Sequence, residues 1–245
     1  MIVVPALTFV SLLVLWELTT VIFKINRIIL PSPSEIAVAF ANNYPLLLKE
    51  TGITMAESVL GFLLGSLSAY LLAVTFVHSR TVQQAVYPYA VALKSTPLIA
   101  IAPLLVLWFG NGMLSKIVMS ALVAFFPVLV NSVSGLTSID PEAFDLMKSL
   151  SASKWQVLTK IRIPSSLPYL FSSLKVASSL AVVGAVIGEF TGSIEGIGHL
   201  INTSSYYLET PLMFAAIVMI SLGGVLFFAL MAHLERKIVF WEEPR

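Results

Sequence analysis

Residues 145–168 read DLMKSLSASKWQVLTKIRIPSSLP. This polar, basic stretch separates two long apolar runs, Leu114–Gly135 and Tyr169–Glu189. A chain held in lipid gains little by keeping so large a loop in water unless the loop touches something. Its local signals are helical. Asp140 before Pro141 and Glu142 supplies an N-cap followed by proline at the first helical position, so a first helix runs to about Leu150. Ser151 or Ser153 caps a second helix through Ile163, and Pro164 and Pro168 are expected to end it. Trp155, Leu158 and Ile161 form one apolar face, suited to the underside of the membrane domain, and Lys154, Lys160 and Arg162 form the polar face. Two short helices with a break between them make a protruding knob.

The rest of the chain sets the class. It has 245 residues, 58% hydrophobic and only 11% charged. Soluble domains carry about 25% charged residues. The mean hydropathy is +0.94. With about 20 apolar residues per crossing, the length suits about six spans in one membrane domain, residues 1–245. Hydropathy places them near Val3–Phe23, Ile53–Val77, Tyr89–Phe109, Leu114–Gly135, Tyr169–Glu189 and Pro211–Leu234. The third is the weakest, because Lys94, Pro97 and Pro103 interrupt it. No basic residue precedes the first run, which is long for the core of a secretory signal, so it reads as a span.

An even number of spans puts both termini on one side. Lys148, Lys154, Lys160 and Arg162 of the loop, about residues 137–168, then share that side with Arg236, Lys237 and Arg245. The positive-inside rule makes it the cytoplasm. Lys24, Arg27, Lys49 and Lys116 fall outside. In the first outer loop, Ser32-Pro33-Ser34-Glu35 is a capping box, and a surface helix is expected from Pro33 to about Leu48. Gly61…Gly65 and Gly184…Gly188 are small-xxx-small patterns, read first as packing within one subunit.

Several chemistries find no support. There is no cysteine, so no disulfide or thiolate site. The net charge of +1 and the lack of a basic run point to no nucleic acid. No G-x-x-x-x-G-K-[ST] loop is present to cradle ATP phosphates, and His78, His199 and His233 are scattered. Glu17, Glu57, Lys94, Lys175 and Glu189 are charges within or near spans, and such charges are functional candidates. Lys94 and Lys175 read as snorkelling to the interface, and Glu17 and Glu57 as pairing between helices. Glu189, before Gly192, Gly196 and Gly198, is a candidate brace for an outer gate, with simple solvation of a helix end as the alternative.

The 145–168 loop resembles the cytoplasmic coupling loop of ABC-importer permeases, whose pattern is roughly E-A-A-x-x-x-G-A with a proline farther on. Asp145 stands where the glutamate is expected, Leu146 and Met147 replace the alanines, Ser151-Ala152 replaces Gly-Ala, and Pro164 falls in register. Ser151 is expected to resist the positive φ that glycine allows. Leu15-Trp16-Glu17-Leu18, Ile29-Leu30-Pro31-Ser32-Pro33, Thr96-Pro97-Leu98-Ile99-Ala100, Pro103–Gly110 and Gly196-Ile197-Gly198-His199-Leu200-Ile201 also resemble the family. The likeness is greatest to permeases for nitrate, sulfonates, taurine and vitamin precursors such as thiamine pyrimidines or riboflavin.

The resemblance implies an all-α integral membrane protein, a non-catalytic pore subunit of a bacterial or archaeal cytoplasmic membrane. Its implied partners are cytoplasmic ABC ATPases, a second permease copy and an external solute-binding protein. ATP and magnesium would sit on the ATPases, with no cofactor in this chain. Asp145, Leu146, Met147, Leu150, Ser151, Ala152, Lys154 and Pro164 would form the ATPase contact. The alternative is a self-sufficient secondary transporter or channel, which needs ion-coupling groups within the membrane and commonly inverted repeats. Few charges lie mid-span and no repeat is evident. An intramembrane enzyme is disfavoured because no catalytic constellation stands out.

Overall fold

A computed structural model describes residues 3–241, the side chains of residues 91 and 93–95 excepted. The regular elements among the described residues are all helical: α1 Val3–Ile22, α2 Pro33–Asn42, α3 Tyr44–His78, α4 Arg80–Ser95, α5 Leu98–Phe109, α6 Met113–Thr137, α7 Pro141–Ser149, α8 Lys154–Val157, α9 Ile163–Phe190, α10 Ile197–Tyr206 and α11 Thr210–Ile238. A π-helical turn, Leu158–Arg162, joins α8 to α9.

Five helices are long and apolar enough to cross a membrane: Val3–Ile22, Tyr44–His78, Met113–Thr137, Lys154–Phe190 and Thr210–Ile238. They match five of the six expected spans. The other, Tyr89–Phe109, is not one helix. It breaks between α4 and α5, where Pro97 is extended at φ −60°, ψ 111°. A proline disfavours the helical conformation of the residue before it, here Thr96. Lys94, expected to snorkel, has its side chain outside the described residues. The expected helix from Pro33 to Leu48 also stops early, at Asn42. Pro45 explains this, because its ring would clash with the carbonyl four residues back, and it sits instead in the first turn of α3.

The core is the packing of α6 against both α3 and α9. The buried stripe of α3 runs Thr54, Ser58, Gly61, Gly65, Ala69, Ala73 and Phe76, at helical spacing. A Cβ on Gly61 would strike the Ser120 side chain and the Ile117 carbonyl, and one on Gly65 the Ala121 carbonyl. From the other side, a Cβ on Gly184 would lie 2.8 Å from the Ser120 Cα. The Ser120 hydroxyl donates to the Ala181 carbonyl at 2.9 Å. Both small-xxx-small patterns therefore serve packing within the chain, each against α6.

The outer helices are held by polar contacts. In α1 only Thr20 is buried. Its anchor is Glu17, whose carboxylate accepts from the Ser34 backbone N–H at 3.0 Å and from the Ser34 hydroxyl at 2.8 Å, at the positive end of α2. Trp16 packs on Phe214 with ring centroids 6.0 Å apart. Lys175 does not merely snorkel, since its ammonium pairs with Glu235 of α11 at 2.6 Å.

Two glycines of α3 should respond oppositely to substitution. Gly65→Val should destabilise the detergent-purified protein by about 1–3 kcal/mol, as overpacking does. Gly52→Ala, where nothing lies within 4 Å of the added Cβ, should be neutral or stabilising by about 0.5–1 kcal/mol. Thermal melting checks both, and equal effects would contradict this packing.

Candidate functional site

At one end of the bundle α7 and α8 form the knob. Asp140 caps α7, accepting from the Glu142 N–H at 3.0 Å. At the far end of α7, Ser151 N–H donates to the Lys148 carbonyl at 2.9 Å and Ala152 N–H to the Met147 carbonyl at 3.0 Å. These paired reverse bonds close a helix through a left-handed residue. That residue is Ser151, at φ +53°. The expectation that Ser151 resists positive φ is therefore corrected: it takes the backbone position a glycine would fill, because the two bonds hold it there. Ser153, not Ser151, caps α8, and with Gln156 it completes a capping box.

The second helix does not end at Pro164 and Pro168. It runs unbroken from Lys154 to Phe190. The π turn accounts for this. Ile163 N–H donates to Leu158, five residues back, and Pro164 enters in the first turn of the resumed α-helix. Arg162, expected on the polar face, turns back instead, and its guanidinium donates to the Leu136 carbonyl at the end of α6 at 2.7 Å. Leu158 is buried as expected. Trp155 is not, being 67% exposed, since α8 packs chiefly on its own continuation.

The knob presents Leu146 at 60% and Leu150 at 68% exposure, with Trp155 beside the break. Met147 and Ala152 are half-buried, and Lys154 is exposed. Asp145 pairs with Lys148 at 3.2 Å, and the Lys148 ammonium lies 4.5 Å from the centre of the Phe144 ring. Asp145, Leu146, Met147, Leu150, Ser151, Ala152 and Lys154 thus lie on α7, at its end or at the start of α8. Pro164 stands apart, half-buried beyond the π turn.

The opposite end holds buried charge. Glu189 is 1% exposed, so simple solvation of a helix end does not describe it. Its carboxylate accepts from the Thr54 hydroxyl at 2.6 Å and from the Gly198 N–H at 2.6 Å. The Thr54 hydroxyl accepts from the Ile197 N–H at 2.8 Å, and Glu50 accepts from the Gly196 N–H at 2.6 Å. The amides opening α10 are thereby satisfied by side chains of α3 and α9. Gly196 is at φ +99°, and a Cβ there would run into the Glu189 carboxylate. Glu57 of α3 is also buried, and its Oε2 has no hydrogen-bond partner among the described residues. Lys116, expected on the outer side at the start of its span, is fully buried in α6, and its ammonium donates to the Asn111 carbonyl. Buried carboxylates require such partners.

The sequence reading missed Glu50, Thr54 and Lys116 as companions of Glu189. The spacing of Glu50, Thr54, Glu57 and Ser58 along one face of α3 was the available signal. Beyond them, His199, Asn202, Thr203 and Tyr206 of α10, with Phe190 and Ser193, line an open cleft of about 470 Å³. Among the described residues no lysine or arginine lines it. Among the described residues no group of three His, Asp or Glu is placed to hold a metal ion.

Residues 61–240 match the family described as binding-protein-dependent transport system inner membrane component. The chain belongs to that family. Its function is that of the membrane-spanning permease subunit of an ABC importer. A probable ABC transporter permease of Haemophilus influenzae is 37% identical over 96% of each chain. The riboflavin transport permease RibX of Chloroflexus aurantiacus is 36% identical, covering 96% of this chain and 88% of that one. The formylaminopyrimidine transport permease ThiX of Halalkalibacterium halodurans is 34% identical, covering 98% and 96%. In fold, the permease is similar to a chain of the inward-facing MetNI methionine ABC transporter, with a TM-score of 0.69, 17% identity, and coverage of 79% of this chain and 96% of that one.

The strained end of α7 is open to test. Ser151→Gly should relieve about 1 kcal/mol of left-handed strain. Hydrogen exchange across residues 141–153 should slow, while Ser151→Val should speed it. No difference between the two would mean that the turn does not hold its left-handed form.

Proposed function

We propose that the α7–α8 knob is the permease's grip on cytoplasmic ABC ATPase subunits and that an external binding protein delivers a small solute to the opposite end. The exposed Leu146, Leu150 and Trp155 on a water-facing loop carry this reading, since such a surface is stable only when a partner covers it. Asp145, Met147, Ser151, Ala152 and Lys154 border that surface. Pro164 serves the joint behind it.

The permease itself is non-catalytic, and ATP and magnesium reside on the ATPases. Two copies of this chain line the pore. ATPase closure pushes the knobs and turns the copies as rigid bodies, exposing the pore to each side in turn. The knob and both termini face the cytoplasm of a bacterial or archaeal cell. Cysteines replacing Ser153 and Asn42 test that orientation. In intact cells an impermeant thiol reagent should label the second and spare the first, and the reverse pattern would invert the topology.

The solute falls within a range of organic anions such as sulfonates and taurine, nitrate-like anions, and vitamin precursors such as thiamine pyrimidines or riboflavin. Two observations support the vitamin-precursor end. The riboflavin and formylaminopyrimidine permeases are 36% and 34% identical, whereas an aliphatic sulfonate permease is 28% and a taurine permease 25% identical. The α10 cleft also offers rings, an amide and an imidazole, without a cation for an anionic solute.

Ala152→Asp tests the grip. It places an unpaired charge in a contact that excludes water, a loss of about 3–5 kcal/mol. The ATPase should no longer co-purify, and uptake should cease. Uptake by the native assembly should need ATP and survive collapse of the ion gradients. Wild-type ATPase stoichiometry in the variant would refute the grip. Gradient-driven uptake by this chain alone in ATP-free proteoliposomes would establish the secondary-transport alternative.

A further inference from the structure

The helix from Lys154 to Phe190 contains 37 residues. At about 1.5 Å per residue it is a rod of roughly 55 Å. It starts in the knob and finishes at Glu189, beside the first turn of α10. Only residues 191–196 link the rod to α10, and in that link Gly192 and Gly196 both have positive φ, at +142° and +99°. Such a link does not by itself fix the direction of a ten-residue helix.

What fixes it is a set of buried side chains. Glu189 takes the Gly198 amide, and Thr54 bridges the Ile197 amide to the Glu189 carboxylate. Glu50 takes the Gly196 amide. Lys49 adds a clip at the surface, 3.3 Å from Glu50 and 3.8 Å from Glu195. The bonds to the Gly196, Ile197 and Gly198 amides and the Lys49–Glu195 pair join the link or the start of α10 to α3 or α9, and those two helices are already locked together through α6. The other face of α10 carries His199, Asn202, Thr203 and Tyr206 into the open cleft.

We infer that Glu50, Thr54 and Glu189 form a latch that makes α10 move as one body with the rod from the knob, so that a displacement at the knob arrives undiminished at the cleft. These are positioning residues, because they act through α10. The inference rests on the importer reading of the knob. It identifies how one end of the permease answers the other. α10 also touches α11, and the rival outcome is that α10 follows α11.

The test uses the complete importer, with its ATPases and binding protein, in proteoliposomes. The probe is labelled riboflavin or taurine, whichever the native assembly imports. Thr54→Val keeps the shape and removes the bridging hydroxyl, and Thr54→Ser keeps the hydroxyl. Solute imported per ATP hydrolysed should fall about tenfold in the valine variant, the loss expected for a buried bond to a charged group, and recover in the serine variant. A role in stability alone would lower the yield of assembled importer and leave that ratio unchanged, and this result overturns the latch.

Spin labels at Val183 on α9 and Ser205 on α10, both exposed, supply a second readout in the otherwise native importer. Their separation should be single-valued and equal in ATP-free and ATP-trapped states. A separation that changes between the states overturns the inference even if no Thr54 variant assembles. Failure of the importer reading looks different: the native assembly would then show no ATP-dependent uptake at all.

Discussion

Three helices meet at Ser120 because Gly61 on α3 and Gly184 on α9 leave room for α6 to come within backbone contact. In hydrocarbon, apolar side chains gain nothing by leaving lipid for one another, so association depends on close packing and on polar bonds between helices. Ser120 supplies both. Its side chain fills the space left at Gly61, its backbone that left at Gly184, and its hydroxyl bonds to α9. With Gly65 against Ala121 and Gly188 against Lys116, α3, α6 and α9 become one body. The same stripe of α3 that carries Gly61 and Gly65 carries Thr54 toward one end. The same close approach of α6 and α9 brings Arg162 to the Leu136 carbonyl at the other.

The two ends of this body reverse the usual distribution of polarity. At the knob, large apolar side chains stand in the open. At the opposite end, Glu57, Lys116 and Glu189 are buried with Thr54 among them. Each reversal has its own cause. Buried charge is tolerable where amides and hydroxyls meet it, and the unpaired amides of a helix start are ready-made partners. An exposed apolar knob receives no such compensation within the chain. A second molecule would compensate that knob, whereas Glu189 and Lys116 find their partners within the fold. In the proposed reading, a surface that binds and releases is thus kept separate from a joint that stays closed.

Much of this was legible along the chain. Five spans, the capping box at Ser32, the Asp140 cap, Ser153 as one of two candidate caps and the small-residue stripes all follow from local rules, and the structure keeps them. The knob residues around Leu146–Ala152 were found from pattern and resemblance. Errors arose where a local rule met a longer-range one. Pro45 ended a helix that amphipathicity carried on to Leu48, and Pro164 failed to end one that proline logic stopped. Ser151 accepted a backbone position usually left to glycine, since the reverse bonds from Ser151 and Ala152 hold it there. Lys116 read as lying outside because a lysine at the edge of an apolar run ordinarily reaches water. Only the approach of α3 and α9 shows it to be enclosed, and neither local hydropathy nor spacing reports that approach.

The π turn at Leu158–Arg162 joins the part of the fold that sequence explains to the part it does not. In a regular α-helix the Pro164 ring would press on the Lys160 carbonyl and leave it unpaired. Widening the turn shifts the pairing by one residue, so the missing N–H falls where the helix restarts. The widening also rotates everything before it relative to α9. Trp155 and Leu158, aligned on one face in the sequence, diverge: Leu158 goes into the bundle and Trp155 out to the knob surface. Arg162, aligned with the exposed lysines, swings back to the end of α6. The turn that accommodates one proline thus accompanies two departures from helical periodicity, at Trp155 and at Arg162. A helix that had simply ended at Pro164 would have kept the periodicity and lost the continuous rod between the knob and Glu189.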